Sequence, residues 1–338
     1  MIQNMLQRWL QVLMGGVILL VVIGGLTRLN DAGLSMVDWH PIHGVLPPIT
    51  EQGWQAEYLN YQTSPQYQQN KGMMSLGYFK EIFLWEYAHR MLARLLGVLA
   101  VGMFVYSAMS RKYPRALLIK LAGVPIGVAL QGVLGWWMVQ SGLVEIPQVS
   151  HLRLAAHLFM ALALFVYLQY LYLESSRITQ GDWNWDWAKN RAVLGFVGLI
   201  ILQIVFGVFL AGLDGGMLMN TWPKMGAQWV SDSIALMNPY WKNLVYNPFM
   251  IQWVHRYLPY LILGYCLYLF RRYRDDRSQI ARIRWVGILI FIQSAVGIFT
   301  LLYRVPISLA SLHQLLGTAT LLLSIQIYLL GSRKDNNA

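Results

Sequence analysis

Runs of about 20 mostly apolar residues recur along this chain, and they limit its fold more than any other feature. A helix rises about 1.5 Å per residue, so a run of this length crosses a hydrocarbon core of about 30 Å. Hydrophobic residues make up 57% of the 338 and charged residues only 12%, which excludes a soluble domain. We expect eight transmembrane helices, near residues 12–29, 82–107, 117–139, 151–173, 192–212, 249–270, 284–303 and 308–330.

The basic residues predict how these helices are oriented. The net charge is +11, but Lys and Arg are scattered through short connections and form no basic face, so we expect no nucleic-acid partner. They concentrate in the connections at 108–120, 174–191 and 271–284 and near both termini. The positive-inside rule therefore places both termini in the cytoplasm, with membrane lipid around the helices.

A short helix is predicted in the long outer connection between the first two spans. Thr50 can cap the start of this helix, which ends at about Tyr61. Its Trp54 and Tyr58 share one face with Tyr61, as in an interfacial lid that lies on the membrane. A disordered polar loop is the alternative, because Gln and Asn are dense from 62 to 70.

The two halves of the chain match feature by feature, so the chain is a four-helix unit written twice. The Gln-x-x-x-Gly motif at 131–135 recurs at 293–297, and Glu-x-x-His-Arg at 86–90 recurs as Gln-x-x-His-Arg at 252–256. Because each unit has an even number of spans, the two copies have the same orientation. We predict an all-α membrane protein of two tandem four-helix bundles, 1–175 and 190–332, related by pseudo-two-fold symmetry along the membrane normal.

One histidine lies six or seven residues into each even-numbered span, about 10 Å below the outer surface. Imidazole is a good iron ligand, and heme is the planar iron cofactor that a helical bundle holds between two helices. A single such histidine could instead hydrogen-bond a neighbouring helix, but four at one depth in a duplicated unit favour two heme sites. His40 and His43 lie in a proline-containing loop and are not expected to bind metal. The predicted iron ligands are His89, His157, His255 and His313.

Glu86 distinguishes the two copies. It lies one turn before His89 on the same helical face, so its carboxylate points towards the rim of whatever His89 binds. Gln252 holds the matching place in the second copy and cannot transfer a proton. We infer that the first half carries out chemistry in which Glu86 is catalytic, and that the second half holds a heme that only passes electrons. A surface carboxylate that stabilises the helix N-terminus is the alternative.

Arg90 and Arg256 directly follow the first histidine of each half. A guanidinium at this position could bind a heme propionate bidentately, which predicts two cofactor-binding arginines. Snorkelling of the side chain to the membrane interface is the alternative.

With these residues in view, the chain resembles the heme A synthase family over nearly all of its length. Some members of that family carry a cysteine pair in the first outer loop, whereas Cys266 is the only cysteine here. The sequence therefore resembles the cysteine-free branch, of bacterial type, and we expect no thiol-based electron delivery through that loop. The stretches that carry the likeness are Gly24 to Arg28, Gly33 to Met36, Trp39 to Pro48, Glu86 to Arg90, the helix around His157, Gly212 to Gly216, Asn220 to Gly226, Val254 to Arg256 and Leu312 to Gln314.

The resemblance implies an oxidoreductase that oxidises a methyl group of heme o to a formyl group, through successive hydroxylations, and so makes heme a for terminal oxidases. It implies a substrate heme between His89 and His157, a heme b cofactor between His255 and His313, and an acid at Glu86 that activity requires. It also implies the inner (cytoplasmic) membrane of a bacterium, heme O synthase as the partner that hands over heme o, and an electron donor that the sequence does not identify. Whether the chain forms a homo-oligomer is left open.

Two other functions are compatible with the residues alone. A two-heme b-type transmembrane electron-transfer protein accounts for the four histidines and the duplication, but it leaves the difference between Glu86 and Gln252 unexplained. A transporter explains less, because two depth-matched histidine pairs serve no evident solute pathway.

Overall fold

The computed structural model describes residues 2–38, 45–71, 74–180, 183–188 and 190–335. His40 and His43 lie outside the described residues. The chain divides into two compact units, Met1–Ser176 and Arg177–Ala338. Each unit is built around four long helices, and each is described by itself below.

In the first unit, α1 (Ile2–Leu29) packs on α4 (Leu76–Met109), which packs on α5 (Arg115–Gln140). The last long helix, α6 (His151–Gln180), lies against α5 through the Tyr167 hydroxyl, which donates to the Lys120 carbonyl at 2.6 Å. Two short helices, α2 (Glu51–Tyr61) and α3 (Pro65–Gln69), lie between α1 and α4 in sequence.

The second unit is a closed bundle of four helices. α7 (Arg191–Gly212) packs on α9 (Pro248–Arg272), α9 packs on α10 (Arg277–Leu302), α10 packs on α11 (Ile307–Gly331), and α11 packs back on α7. The connection between α7 and α9 contains α8 (Asn243–Tyr246) and the 3₁₀ turns Gly215–Met217, Asp232–Ala235 and Tyr240–Lys242.

A pair of three-residue strands departs from the all-α prediction. β1 (Trp183–Trp185) pairs antiparallel with β2 (Arg333–Asp335), with Trp183 opposite Asp335. The pairing ties the residues before α7 to those after α11 and so joins the two ends of the second unit. Three residues are too few to show an alternating pattern, so no sequence signal indicated this pair.

Seven helices in the described part of the chain are long and apolar enough to cross a membrane, against eight predicted. The span predicted at 249–270 forms as α9, 25 residues long, but it is too polar to meet that criterion. Two of its most polar side chains are nevertheless buried in the bundle, since Gln252 is 2% and Arg256 5% exposed. The mean hydropathy of a helix counts buried polar groups as if they faced lipid. These groups therefore lower the mean hydropathy of α9 below that of the other long helices. The chain is a helical integral membrane protein.

The short helix predicted at Thr50 is confirmed, and its aromatic face packs against protein, with Tyr61 buried and Trp54 and Tyr58 half-buried. The Thr50 hydroxyl accepts from the Gly53 N–H at 3.1 Å. Trp54 packs edge-on against Phe79, with ring centroids 6.4 Å apart, and Tyr61 stacks on the same ring at 5.0 Å. Phe79 is available because α4 begins at Leu76, before the start predicted for this span.

Candidate functional site

The second unit brings two of the predicted iron ligands together. His255 on α9 and His313 on α11 have ring centroids 6.1 Å apart, with their planes at 81°. Two imidazoles on opposite sides of one metal ion need about 6 Å between ring centres, because each metal–nitrogen bond is about 2 Å and the nitrogen lies roughly 1 Å from its ring centre. The pair therefore has the separation that one iron ion requires.

A glycine on a neighbouring helix makes room for each ring. A Cβ at Gly207 of α7 would lie 2.9 Å from His255 Cε1, and a Cβ at Gly297 of α10 would lie 2.6 Å from His313 Cε1. Both distances are well below the roughly 3.5–4.0 Å of a favourable carbon–carbon contact. Any larger residue would displace the imidazole, so each glycine forms a cradle for one ring.

A glutamine one turn before each glycine contacts the same histidine. Gln203 Nε2 donates to the His255 backbone carbonyl at 2.9 Å and lies 3.0 Å from His255 Nδ1, and the backbone carbonyl oxygen of Gln203 lies 3.2 Å from the same nitrogen. Gln293 Nε2 lies 3.4 Å from His313 Nε2. Among the described residues, Gln203 Oε1, Gln293 Oε1 and His313 Nδ1 are buried without a hydrogen-bond partner. Buried polar atoms that lack a hydrogen-bond partner beside two imidazoles are consistent with a site that binds a further group.

The first unit repeats this arrangement around His157. Gln131 Nε2 donates to the His157 carbonyl at 3.0 Å and lies 3.2 Å from Nδ1, while a Cβ at Gly135 would lie 2.9 Å from Cε1. The other predicted ligand of this unit, His89, lies on α4. His89 in turn packs on α1, where a Cβ at Gly24 would lie 3.2 Å from Nε2. Each of the four predicted iron ligands therefore rests on a glycine of another helix.

Glu86 is buried, 3% exposed, and both of its carboxylate oxygens are engaged. Oε2 accepts from the Ser35 hydroxyl at 2.6 Å and from the backbone N–H groups of Ser35 and Met36 at 2.9 and 3.0 Å. Oε1 accepts from Arg90 Nη2 at 2.5 Å, and Nη2 also donates to the Met36 carbonyl at 3.1 Å. The acid thus fastens the segment after α1 onto α4, one turn from His89.

The matching place in the second unit has the opposite polarity. Gln252 Nε2 donates to the Gly215 carbonyl at 3.0 Å. Arg256 Nη2 donates to the Met219 carbonyl at 3.0 Å, and Nη1 donates to the Thr221 and Lys224 carbonyls at 2.9 and 2.7 Å. Backbone N–H groups therefore face the acid in the first unit, and carbonyl groups face the amide in the second.

The two arginines are not free surface cations. Arg90 pairs with Glu86, and Arg256 is held by loop carbonyls, so snorkelling to the interface describes neither of them. Arg256 Nε remains buried without a partner among the described residues. Propionate binding stays a prediction for both side chains.

The glutamines and glycines around the four histidines escaped the sequence-based prediction as site residues: Gly24, Gln131, Gly135, Gln203, Gly207, Gln293 and Gly297. As a sequence pattern, the Gln-x-x-x-Gly motif at 131–135 and 293–297 indicates only duplication. The motif also occurs at 203–207, and each copy lies on a helix next to one that carries a histidine. That third occurrence is the signal by which Gln203 and Gly207 could have been found.

Comparisons with known proteins agree with one another. Residues 7–326 match the family described as cytochrome oxidase assembly protein, COX15-CtaA. The chain is 37% identical over 332 residues to the heme A synthase of Bartonella quintana, a match that covers 96% of this chain and 91% of that protein. It is 39% identical over 312 residues to the heme A synthase of Parvibaculum lavamentivorans, covering 90% and 88% of the two chains. It is 40% identical over 320 residues to that of Azorhizobium caulinodans, covering 94% and 91%.

Proposed function

The chain belongs to the COX15-CtaA family of cytochrome oxidase assembly proteins, and from this we propose that it is a heme A synthase, like the relatives that it matches. It would oxidise a methyl group of heme o to a formyl group and so make heme a. The observation that carries the proposal is the difference between the two units. Both hold cradled histidines, but among the described residues only the first has a buried carboxylate beside them. An acid in one of two matched sites favours that site as the place of reaction.

We propose that the two histidine pairs hold different hemes. His89 and His157 would bind the substrate heme, and His255 and His313 would bind a resident heme b. The 6.1 Å separation of the second pair supports a heme there, as do the glycine cradles. A heme between two imidazoles takes up and passes on single electrons, which is the chemistry that the second unit would supply.

We propose that Glu86 relays protons at the reacting edge of the substrate. With O2 as oxidant, each hydroxylation takes up two electrons and two protons (–CH3 + O2 + 2 e⁻ + 2 H⁺ → –CH2OH + H2O), two such steps give a geminal diol that loses water to the formyl group, and a positioned carboxylate can pass on the protons. The Ser35 hydroxyl, 2.6 Å from Oε2, provides a neighbour for onward transfer, and Arg90 balances the charge of the carboxylate. The buried Nε of Arg256 would donate to a heme propionate in the second unit.

Extraction of the hemes tests this function directly. The protein would be purified from a host that makes heme o but has no other heme A synthase, and its hemes would be separated by chromatography. We expect heme b together with heme o, an oxidised intermediate or heme a. Heme b alone in both sites would contradict the proposal and favour the two-heme electron-transfer protein, which the matched histidine pairs also allow.

We further propose that α9 is an eighth span of a bacterial inner membrane. Both termini then lie on its cytoplasmic side. Its 25 residues extend roughly 37 Å, enough to cross the hydrocarbon core, and its buried Gln252 and Arg256 need not meet lipid. Alkaline phosphatase fused after residue 338 should therefore be inactive, whereas a fusion within 225–235 should be active. An active fusion at the C-terminus, with the N-terminus cytoplasmic, would mean that α9 does not span.

The substrate and the electrons must come from other molecules. We propose that heme O synthase delivers heme o, since an apolar heme is poorly soluble in water. We also propose that a separate donor supplies electrons to the second unit.

A further inference from the structure

A polar cavity lies at the end of the second unit that is remote from its histidine pair. The cavity has a volume of about 380 Å³ and forms where α7 begins, α9 ends, α10 begins and α11 ends. This volume is within the range of small-molecule sites, about 300–1,000 Å³. Along α11, Gly331 at the cavity lies about 18 residues, or roughly 27 Å, beyond His313. The cavity is therefore separate from the site that His255 and His313 form.

Two buried amide side chains meet beside Gly331 in this cavity. Asn190 is 2% and Gln279 5% exposed, and a Cβ at Gly331 would collide with Asn190 Nδ2 and with Gln279 Nε2. Asn190 Oδ1 accepts from the Tyr273 hydroxyl at 3.1 Å. Among the described residues, Asn190 Nδ2 and Gln279 Oε1 have no hydrogen-bond partner. Buried polar atoms are rarely left unpaired, so this donor and this acceptor indicate a ligand that supplies the opposite groups.

The charged residues that line the cavity favour an anion. Arg272 lies at the end of α9, Arg282 lies on α10, and Asp276 caps α10. Two positive charges and one negative charge leave a net charge of +1. The Asp276 carboxylate already accepts from the N–H groups of Ser278 and Gln279 at 3.1 and 3.0 Å, so the helix N-terminus partly balances its charge. Guanidinium groups bind phosphate oxygens well, and a singly charged phosphate group therefore suits this lining.

The cavity lies at the level of the lipid headgroups. Three of the helices that form it, α7, α10 and α11, are long and apolar enough to cross a membrane, so their ends lie near the membrane surface. Trp187, which is 47% exposed, packs on Tyr328 of α11 with ring centroids 6.3 Å apart, about one turn before Gly331. Exposed Trp and Tyr are typical of the membrane–water interface. The phosphate of a lipid beside these helices is therefore always close to the cavity, unlike a soluble anion.

We propose that this cavity binds the headgroup of an anionic glycerophospholipid of the phosphatidylglycerol type, in the leaflet opposite the histidine pair. Asn190 Nδ2 and the two arginines hold the phosphodiester, and Gln279 Oε1 accepts from a headgroup hydroxyl. Because all four helices of the second unit contribute to the lining, the bound headgroup links their ends. The inference goes beyond the proposed function and does not depend on it.

Native mass spectrometry of the purified, delipidated protein in a neutral detergent tests the proposal. The titrations would use phosphatidylglycerol, zwitterionic phosphatidylethanolamine and inorganic phosphate, and we expect phosphatidylglycerol to bind most tightly. Arg282→Gln should weaken its binding about 10-fold or more, since a charge-assisted hydrogen bond is lost. Arg284→Gln is the matched control, because Arg284 is exposed on the same helix and does not line the cavity. It removes the same charge and should change binding by less than about 2-fold, since exposed charges are screened.

Three outcomes would overturn the proposal. Equal weakening by Arg282→Gln and Arg284→Gln would reduce binding to a general attraction between charges. Equal affinity for phosphatidylglycerol and phosphatidylethanolamine would show that the charge of the headgroup is not recognised. Inorganic phosphate bound as tightly as the lipid would assign the cavity to a soluble anion.

Gln279→Met is a second variant that decides the question should Arg282→Gln not fold. Methionine has a similar length but lacks the buried amide, so this variant should also bind phosphatidylglycerol more weakly. Binding at the wild-type strength would contradict the role of the cavity.

Discussion

Replacing Glu86 by glutamine is expected to lower heme a formation by about 100-fold or more while both heme sites stay filled. Glutamine keeps the size of the side chain and can still accept from the Ser35 and Met36 N–H groups. It cannot take a proton, and it removes the ion pair that Oε1 makes with Arg90 at 2.5 Å. The measurement is the rate of heme o conversion, with the heme content of each preparation determined from the extracted hemes.

Ser35→Ala is the companion variant, which removes the hydroxyl proposed for onward proton transfer and keeps the acid. It removes the hydroxyl donor at 2.6 Å but leaves Glu86 ionisable and held by two N–H groups and Arg90. A hydrogen bond to a charged group is worth about 1.5–3 kcal/mol, which corresponds to roughly 10- to 150-fold, and we expect a loss near the lower end because three other donors still hold the carboxylate. Heme a formation by Glu86→Gln at the wild-type rate would remove the acid from the reaction. Loss of the first-unit heme along with activity would instead mean that Glu86 only holds the segment at 33–36 in place.

The asymmetry between Glu86 and Gln252 is larger than one substitution. In the first unit two backbone N–H groups point at the carboxylate, and in the second the Gly215 carbonyl accepts from the amide. A carboxylate at position 252 would face that carbonyl oxygen and lose the hydrogen bond. The connecting segment of the first unit therefore presents hydrogen-bond donors to a carboxylate, and that of the second unit presents an acceptor to an amide. We expect that Gln252→Glu would not create a second reactive site.

Features that depend on local sequence were predictable. Apolar length placed the long helices, and the Thr50 hydroxyl with Glu51 behind it located the start of α2. The partner of α2 was not predictable, because Trp54 and Phe79 meet only when α2 folds back on α4. The burial of the polar side chains of α9 was not predictable for the same reason, because Gln252 is enclosed only when the four helices of the bundle pack together.

In the candidate site, too, the features that depend on local sequence were predictable and those that depend on the folded chain were not. Histidine depth follows from counting residues along each span, so the ligands could be proposed from sequence. The four-residue spacing of Glu86 and Arg90 was a local signal for an ion pair, which competes with the predicted propionate contact. The N–H groups of Ser35 and Met36 gave no such signal, because they belong to a segment that reaches Glu86 only in the folded chain.

The glycine cradles give the second large prediction, because the same small change should remove a different heme in each unit. Gly207→Ala and Gly135→Ala each place a Cβ 2.9 Å from a histidine Cε1. The ring must shift, which misplaces the metal-binding nitrogen, and overpacking of this kind costs about 1–3 kcal/mol. We expect Gly207→Ala to lose most of its heme b. Gly135→Ala should keep heme b and lose most of its heme o.

Gly198→Ala is the control, because it lies on α7 with Gly207 and an added Cβ there meets nothing within 4 Å. It should leave the heme content unchanged. Both cradle variants should also stop heme a formation, for different reasons: one loses the site of electron transfer, the other the anchor of the substrate. Heme extraction tells the two apart where an activity assay alone cannot. Full heme b content in Gly207→Ala would show that His255 does not hold that heme, and the assignment of the second unit would then have to change.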